Sequence, residues 1–111
     1  MTPEREDRIA KTEALFRDVN ERIAEASQLF DAGEAEFMCE CADAACTERL
    51  EVPLEEYEEV RDVPTKFLLD PDHVKPSVER IVEHRRGYAI VEKLGRVARI
   101  ARRLDPRAEP A

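Results

Sequence analysis

A chain of 111 residues, 40% of them charged and only 5% aromatic, has room for one domain with a small core. Its net charge of −8 is the wrong sign for non-specific binding to nucleic-acid phosphates. No apolar run approaches the ~18 residues that a membrane span needs, and the polar opening MTPEREDRIAKTE lacks the pattern of a secretory signal, so a reducing cytoplasmic setting is expected.

The first element is a long helix. Thr2 can cap it, Pro3 suits its first turn, and Glu4, Glu6 and Asp7 lie where the helix dipole favours anions. Ile9, Phe16, Ile23 and Phe30 recur every seven residues with Thr12, Val19 and Ala26 between them, and Leu15 and Leu29 widen the stripe; Gly33 is the expected stop. The would-be e positions Glu13, Asn20 and Ser27 do not complement Arg22 at g, so the stripe is expected to pack on the protein's own sheet, with a helix-paired homodimer as the alternative.

Residues 35–41 alternate weakly and 47–52 alternate polar with apolar, which predicts a hairpin with a cysteine-bearing tip. Pro53 opens a short helix, Leu54 to Arg61, whose Leu54, Tyr57 and Val60 share a face while Glu55, Glu56, Glu58 and Glu59 point to solvent. Pro64 ends it, 66–69 reads as a strand, and the two prolines of 70–76 mark a loop. Residues 78–84 and 88–93 form a second hairpin around Arg85-Arg86-Gly87. A final helix, LGRVARIARRL, sets Leu94, Val97, Ala98, Ala101 and Leu104 against four arginines. The expected fold class is α+β: a single domain over 1–104, with a long N-terminal helix packed on a small, mostly antiparallel sheet, a metal-pinned cysteine loop and a C-terminal helix. Residues 105–111 are expected to be a disordered tail.

Charge is uneven along this plan. Residues 1–60 carry 6 basic and 18 acidic side chains, whereas residues 61–111 carry 12 basic and 8 acidic ones. Opposite halves attract, within one molecule or between two, although two ordinary solvated surfaces are the simpler expectation.

All three cysteines, Cys39, Cys41 and Cys46, fall within eight residues as Cys-x-Cys-x4-Cys. An odd, clustered set of thiols in a reducing compartment points to metal or redox chemistry before disulfides. Zinc takes four thiolate or imidazole ligands, and one short loop supplies three corners at little entropic cost. Of the two histidines, His73 lies in a proline-bounded loop and His84 beside two arginines, so the expected ligand set is Cys39, Cys41, Cys46 and His73. Glu40, Asp43 and Glu48 are near enough in sequence to act as acceptors behind the ligands. The competing readings are a thiol redox switch without metal and inert buried thiols. An iron–sulfur cluster would call for a fourth cysteine. Three thiolates weaken the Lewis acidity of a zinc ion, so its expected role is structural rather than catalytic.

No phosphate-binding glycine loop, serine elbow or His-Glu-x-x-His helix is present, and no enzymatic activity is expected. The acidic run at 55–59 reads as a solvated helix face. The arginines of the last helix, Arg96, Arg99, Arg102 and Arg103, are the one surface suited to nucleic acid or an acidic partner, but no aromatic side chain is interleaved to stack bases.

Taken together, FRDVNERI (Phe16 to Ile23), CECADAACTERL (Cys39 to Leu50), EEYEEVR (Glu55 to Arg61) and KFLLDPDH (Lys66 to His73) resemble a family of small, uncharacterised actinobacterial proteins. That family carries Cys-Glu-Cys-x4-Cys-x-Glu, Glu-Tyr-x-x-Val-Arg, Phe-x5-His and a closing Val-Glu-Lys. The resemblance spans residues 16 to 93 and implies that Cys39, Cys41, Cys46 and His73 belong to one motif; it brings no reaction or partner. The family often has glycine before the third cysteine, where this chain has Ala42-Asp43-Ala44-Ala45. The expected function is a small zinc-binding domain with a structural metal, acting in protein–protein interaction or regulation. The alternatives are the redox switch and a nucleic-acid-binding regulator using the arginine face.

Overall fold

The computed structural model describes residues 1–107 of the chain, and the elements follow in the order expected. Helix α1 spans Pro3–Leu29 and is capped by Thr2, whose hydroxyl oxygen accepts from the Arg5 N–H at 3.2 Å. Strands β1 (Glu34–Met38) and β2 (Arg49–Pro53) form an antiparallel hairpin, and α2 (Leu54–Arg61) follows without a break. Strand β3 (Lys66–Leu69) leads into a 3-10 turn at Pro71–His73. Strands β4 (Glu79–Arg85) and β5 (Tyr88–Lys93) form the second hairpin, and α3 (Gly95–Leu104) closes the fold. Among the described residues, no helix is long and apolar enough to cross a membrane.

The class is α+β, with one difference in the sheet. The strands form two antiparallel sheets, β1-β2 and β3-β5-β4. Tyr88 to Val91 are all buried because β5 is the central strand of three, covered on both faces. Edge strand β4 carries a bulge between Ile81 and Glu83, a common way to discourage edge-to-edge pairing. Gly87 turns the second hairpin at φ 87°, a conformation only glycine takes without strain.

The main core gathers Phe37, Leu50, Val52, Tyr57, Phe67, Leu68, Leu69 and Ile90, with Phe37 and Tyr57 stacked at 4.2 Å between ring centroids. A smaller cluster of Ile9, Ala10, Val78, Val97 and Ile100 joins the start of α1 to α3. In α3 the buried face includes Ile100, whereas the flanking Leu94 and Leu104 are exposed.

Helix α1 packs on its own domain, but its buried face is rotated from the heptad stripe. Ile9, Ala10, Glu13, Phe16, Arg17, Asn20 and Ala24 point inward, whereas Leu15, Val19, Leu29 and Phe30 face solvent. The reason is polar. Arg17 lies 3.5 Å above the Phe67 ring and donates to the carbonyls of Pro64 and Lys66, filling the groove above β3 that an aliphatic side chain would otherwise take. The helix ends at Leu29 with Phe30 as its C-cap, and the left-handed residue after it is Asp31 (φ 54°), not Gly33.

The expected tail is partly structured. Asp105 is buried, and its carboxylate accepts from Arg61 at 2.5 Å, while Arg107 pairs with Glu21 and Glu58. Residues 108–111 of that tail lie outside the described residues.

Candidate metal centre

Three elements converge on the thiols. Beyond β1 the chain stays extended through Cys39-Glu40-Cys41: the Cys39 N–H donates to the Glu48 carbonyl at 3.1 Å, and the Glu40 N–H to Leu68 at 2.9 Å. The Cys-Glu-Cys segment thereby sits between the end of the first hairpin and the end of β3. Extended backbone alternates its side chains, so a single residue between two thiols turns away from both. Glu40 is fully buried, accepting from Asn20 Nδ2 at 2.9 Å and from the Leu68 N–H at 3.1 Å. Asn20 also bridges both backbone groups of Met38, receiving its N–H at 2.7 Å and donating to its carbonyl at 2.9 Å. Burial raises the Glu40 pKa, opposed chiefly by Arg17 and Asn20.

The loop to Cys46 turns without glycine. Asp43 accepts from the Ala45 N–H through Oδ1 at 2.9 Å and from the Cys46 N–H through its carbonyl at 3.0 Å. The side chain supplies the turn, and no residue from 42 to 45 has positive φ. The fourth group arrives from β3: Asp70 caps the 3-10 turn by accepting from the Asp72 N–H at 2.9 Å, Pro71 starts it, and His73 is carried toward the thiols.

The donor atoms of Cys39, Cys41, Cys46 and His73 all lie within 4.8 Å of one another. His73 Nδ1 is 3.5 Å from Cys39 Sγ and 3.6 Å from Cys46 Sγ. A tetrahedral zinc with bonds of about 2.3 Å to sulfur and about 2.05 Å to nitrogen separates such a pair by about 3.5 Å. The four groups are therefore arranged as the corners of a metal site. The three cysteines are free thiols. Cys39 and Cys41 are buried, and Cys46 and His73 are half-buried.

Packing thiols this closely forces them to share charge. The neighbouring Cys39 thiol holds the Cys41 pKa below the ordinary thiol range, and Cys41 in turn pushes that of Cys39 up, to which burial adds; burial also raises Cys46. A divalent cation would reverse the mutual repulsion and favour thiolates throughout. The Asp70 N–H already points at Cys39 Sγ, 3.2 Å away, as a donor to a sulfur anion.

The remaining expected groups sit differently. Asp43 and Glu48 support the site through backbone carbonyls and a turn, and Glu40 through the helix and β3; none of the three joins the donor cluster. His84 is exposed on β4, opposite Ala89, and takes no part. On α3, Arg96 is committed to Asp7 at 3.0 Å, leaving Arg99, Arg102 and Arg103 as the exposed basic face. Sequence reading missed Asn20 and Arg17, although Glu13, Arg17, Asn20 and Ala24 follow one another at the four- and three-residue steps of a single helix face.

Comparison with known proteins returns no match among family models, curated proteins or solved structures.

Proposed function

We propose that this protein is a zinc-structured interaction module of the cytoplasm, in which the ion ties the first hairpin to the segment after β3 and takes no part in catalysis. The observation that carries this reading is the convergence of Cys39, Cys41, Cys46 and His73. Their softness and S–N spacing favour zinc over the oxygen-preferring cations. Four protein ligands leave no coordination position for a substrate or activated water.

The partner we propose is a second copy of the chain, through the outer face of α1. Leu15, Val19, Ala26 and Leu29 fall at four- and three-residue steps around Arg22, a coiled-coil seam on the side of the helix away from the core. Leu29 and Phe30 are 85% and 84% exposed. Its two ends, Leu15 and Leu29, lie seven residues either side of Arg22, so antiparallel pairing would set Leu15 against Leu29 of the other copy.

Native mass spectrometry of untagged protein tests the metal. One zinc per chain is expected, lost in Cys41→Ser and His73→Ala and kept in His84→Ala. Metal-free protein with a melting transition indifferent to chelator would remove the reading.

A further inference from the structure

Beside the cysteine loop lies a second feature that the metal does not explain: a cleft of about 600 Å³ between the first turns of α1, the loop residues Ala42 and Ala44, and Lys75. Its charged lining residues are Arg5, Arg8 and Lys75, its hydroxyls are those of Thr2 and Thr12, and it has no carboxylate. In a chain with 26 acidic against 18 basic residues that lining is unexpected. A larger cleft, of about 890 Å³, is lined by Arg49, Arg85 and Arg86 but balances them with Glu34, Glu51 and Glu56. Where Arg85 is tied to Glu56 and Glu83, no ion pair engages Arg5, Arg8 or Lys75 among the described residues. Glu4 and Glu6 share the first turns of α1 and do not line the cleft; Asp43 and Asp72 line a smaller adjoining one that shares Lys75 and Ala42.

We propose that this cleft binds an oxyanion of the phosphate class. Two guanidinium forks match phosphate oxygens in pairs, and a lysine adds a compact point charge. The Thr2 oxygen accepts from the Arg5 N–H, which leaves its O–H free to donate, and Thr12 supplies a second donor. The start of a 27-residue helix adds the positive end of its dipole. The walls come from three separate parts of the chain, so this cation cluster is set by tertiary structure and is not a local basic run. It does not depend on the identity of the ion at the thiols.

Inorganic pyrophosphate is the probe, titrated by calorimetry into the full chain as purified, with metal content measured in the same samples. One saturable site is expected, weakened at least tenfold by Arg5→Ala with Arg8→Ala and again by Lys75→Ala, with metal content and helix signal unchanged. Arg85→Ala with Arg86→Ala, in the balanced cleft, should leave affinity within twofold. Absence of saturable binding, or equal weakening by the two double variants, would overturn the proposal. Because metal content is read separately, loss of the ion with retained binding, or the reverse, shows which of the two sites fails.

Discussion

At the scale of single residues, the interior of this small domain is unusually polar. Glu13, Arg17, Asn20, Glu40, Arg61, Glu79, Lys93 and Asp105 are all buried. Lys93 Nζ donates to Glu13 at 2.6 Å and to Glu79, and sits 4.8 Å from the Phe67 ring centre, so one ammonium answers two carboxylates. The shortfall appears at Glu13, whose Oε1 has no partner and whose pKa is pushed up to about 7 by burial, against the pull of Lys93. A carboxyl with a raised folded-state pKa contributes stability that is present below its unfolded value, near 4.5, and is lost as pH rises through 7. Glu13→Gln should therefore flatten the fall in stability between pH 4.5 and 7. The test is the difference between variant and parent in urea melts across that window, which removes any shared loss of metal in acid. Identical pH profiles for the two proteins would contradict the assignment.

At the scale of elements, α1 has two faces with different work. The inner one holds the cysteine segment through Asn20 and the start of β3 through Arg17. The outer seam is free to change without touching the core. If the proposed seam pairs two copies, Leu29→Glu with Phe30→Glu converts dimer to monomer in sedimentation while leaving the melting transition nearly in place, since exposed substitutions of this kind stay within about 0.5 kcal/mol. A parent protein that is already monomeric at high concentration would dispose of the seam as an interface. Register within the first hairpin matters equally to the site: Phe37 pairs with Leu50 and Met38 with Arg49, which brings Cys39 to the end of β3. A slip of one residue would turn both flanking thiols to the opposite face.

At the scale of the whole molecule, the two charge halves pair with each other. Asp7 meets Arg96, Glu13 meets Lys93, Glu21 meets Arg61 and Arg107, and Glu56 meets Arg85. The expectation of two independent solvated surfaces gives way to intramolecular neutralisation. The buried centre of this pairing is Asp105, bound to Arg61 at 2.5 Å and 3.8 Å from Arg17. Removing Asp105 leaves Arg61 with Glu21 alone and Arg17 with two backbone carbonyls, so the cost is that of lost charge-assisted hydrogen bonds, about 1.5–3 kcal/mol, and not that of a fully stranded charge. Asp105→Ala should lower stability by that order in denaturant melts, although a composition-based reading places the residue in a frayed end. A loss under about 1 kcal/mol would mean that water reaches the two arginines.

Local signals in the chain were enough to determine the order and type of the α-helices and strands, though not the 3-10 turn at Pro71–His73, because helix periodicity, strand alternation, prolines and glycines act over a few residues. They also singled out the four residues whose donor atoms converge, because soft donors are few here and only one histidine lies in a loop that can aim it. Tertiary structure alone decided which face of α1 is buried, that the strands split into two sheets, that Glu40 anchors the cysteine segment instead of joining the donor cluster, and that Asp105 belongs to the core. Each of those outcomes depends on a partner 20 or more residues away, as with Asn20 for Glu40 and Arg61 for Asp105. A buried charge is tolerated only where its counterpart arrives, and no local pattern records that arrival.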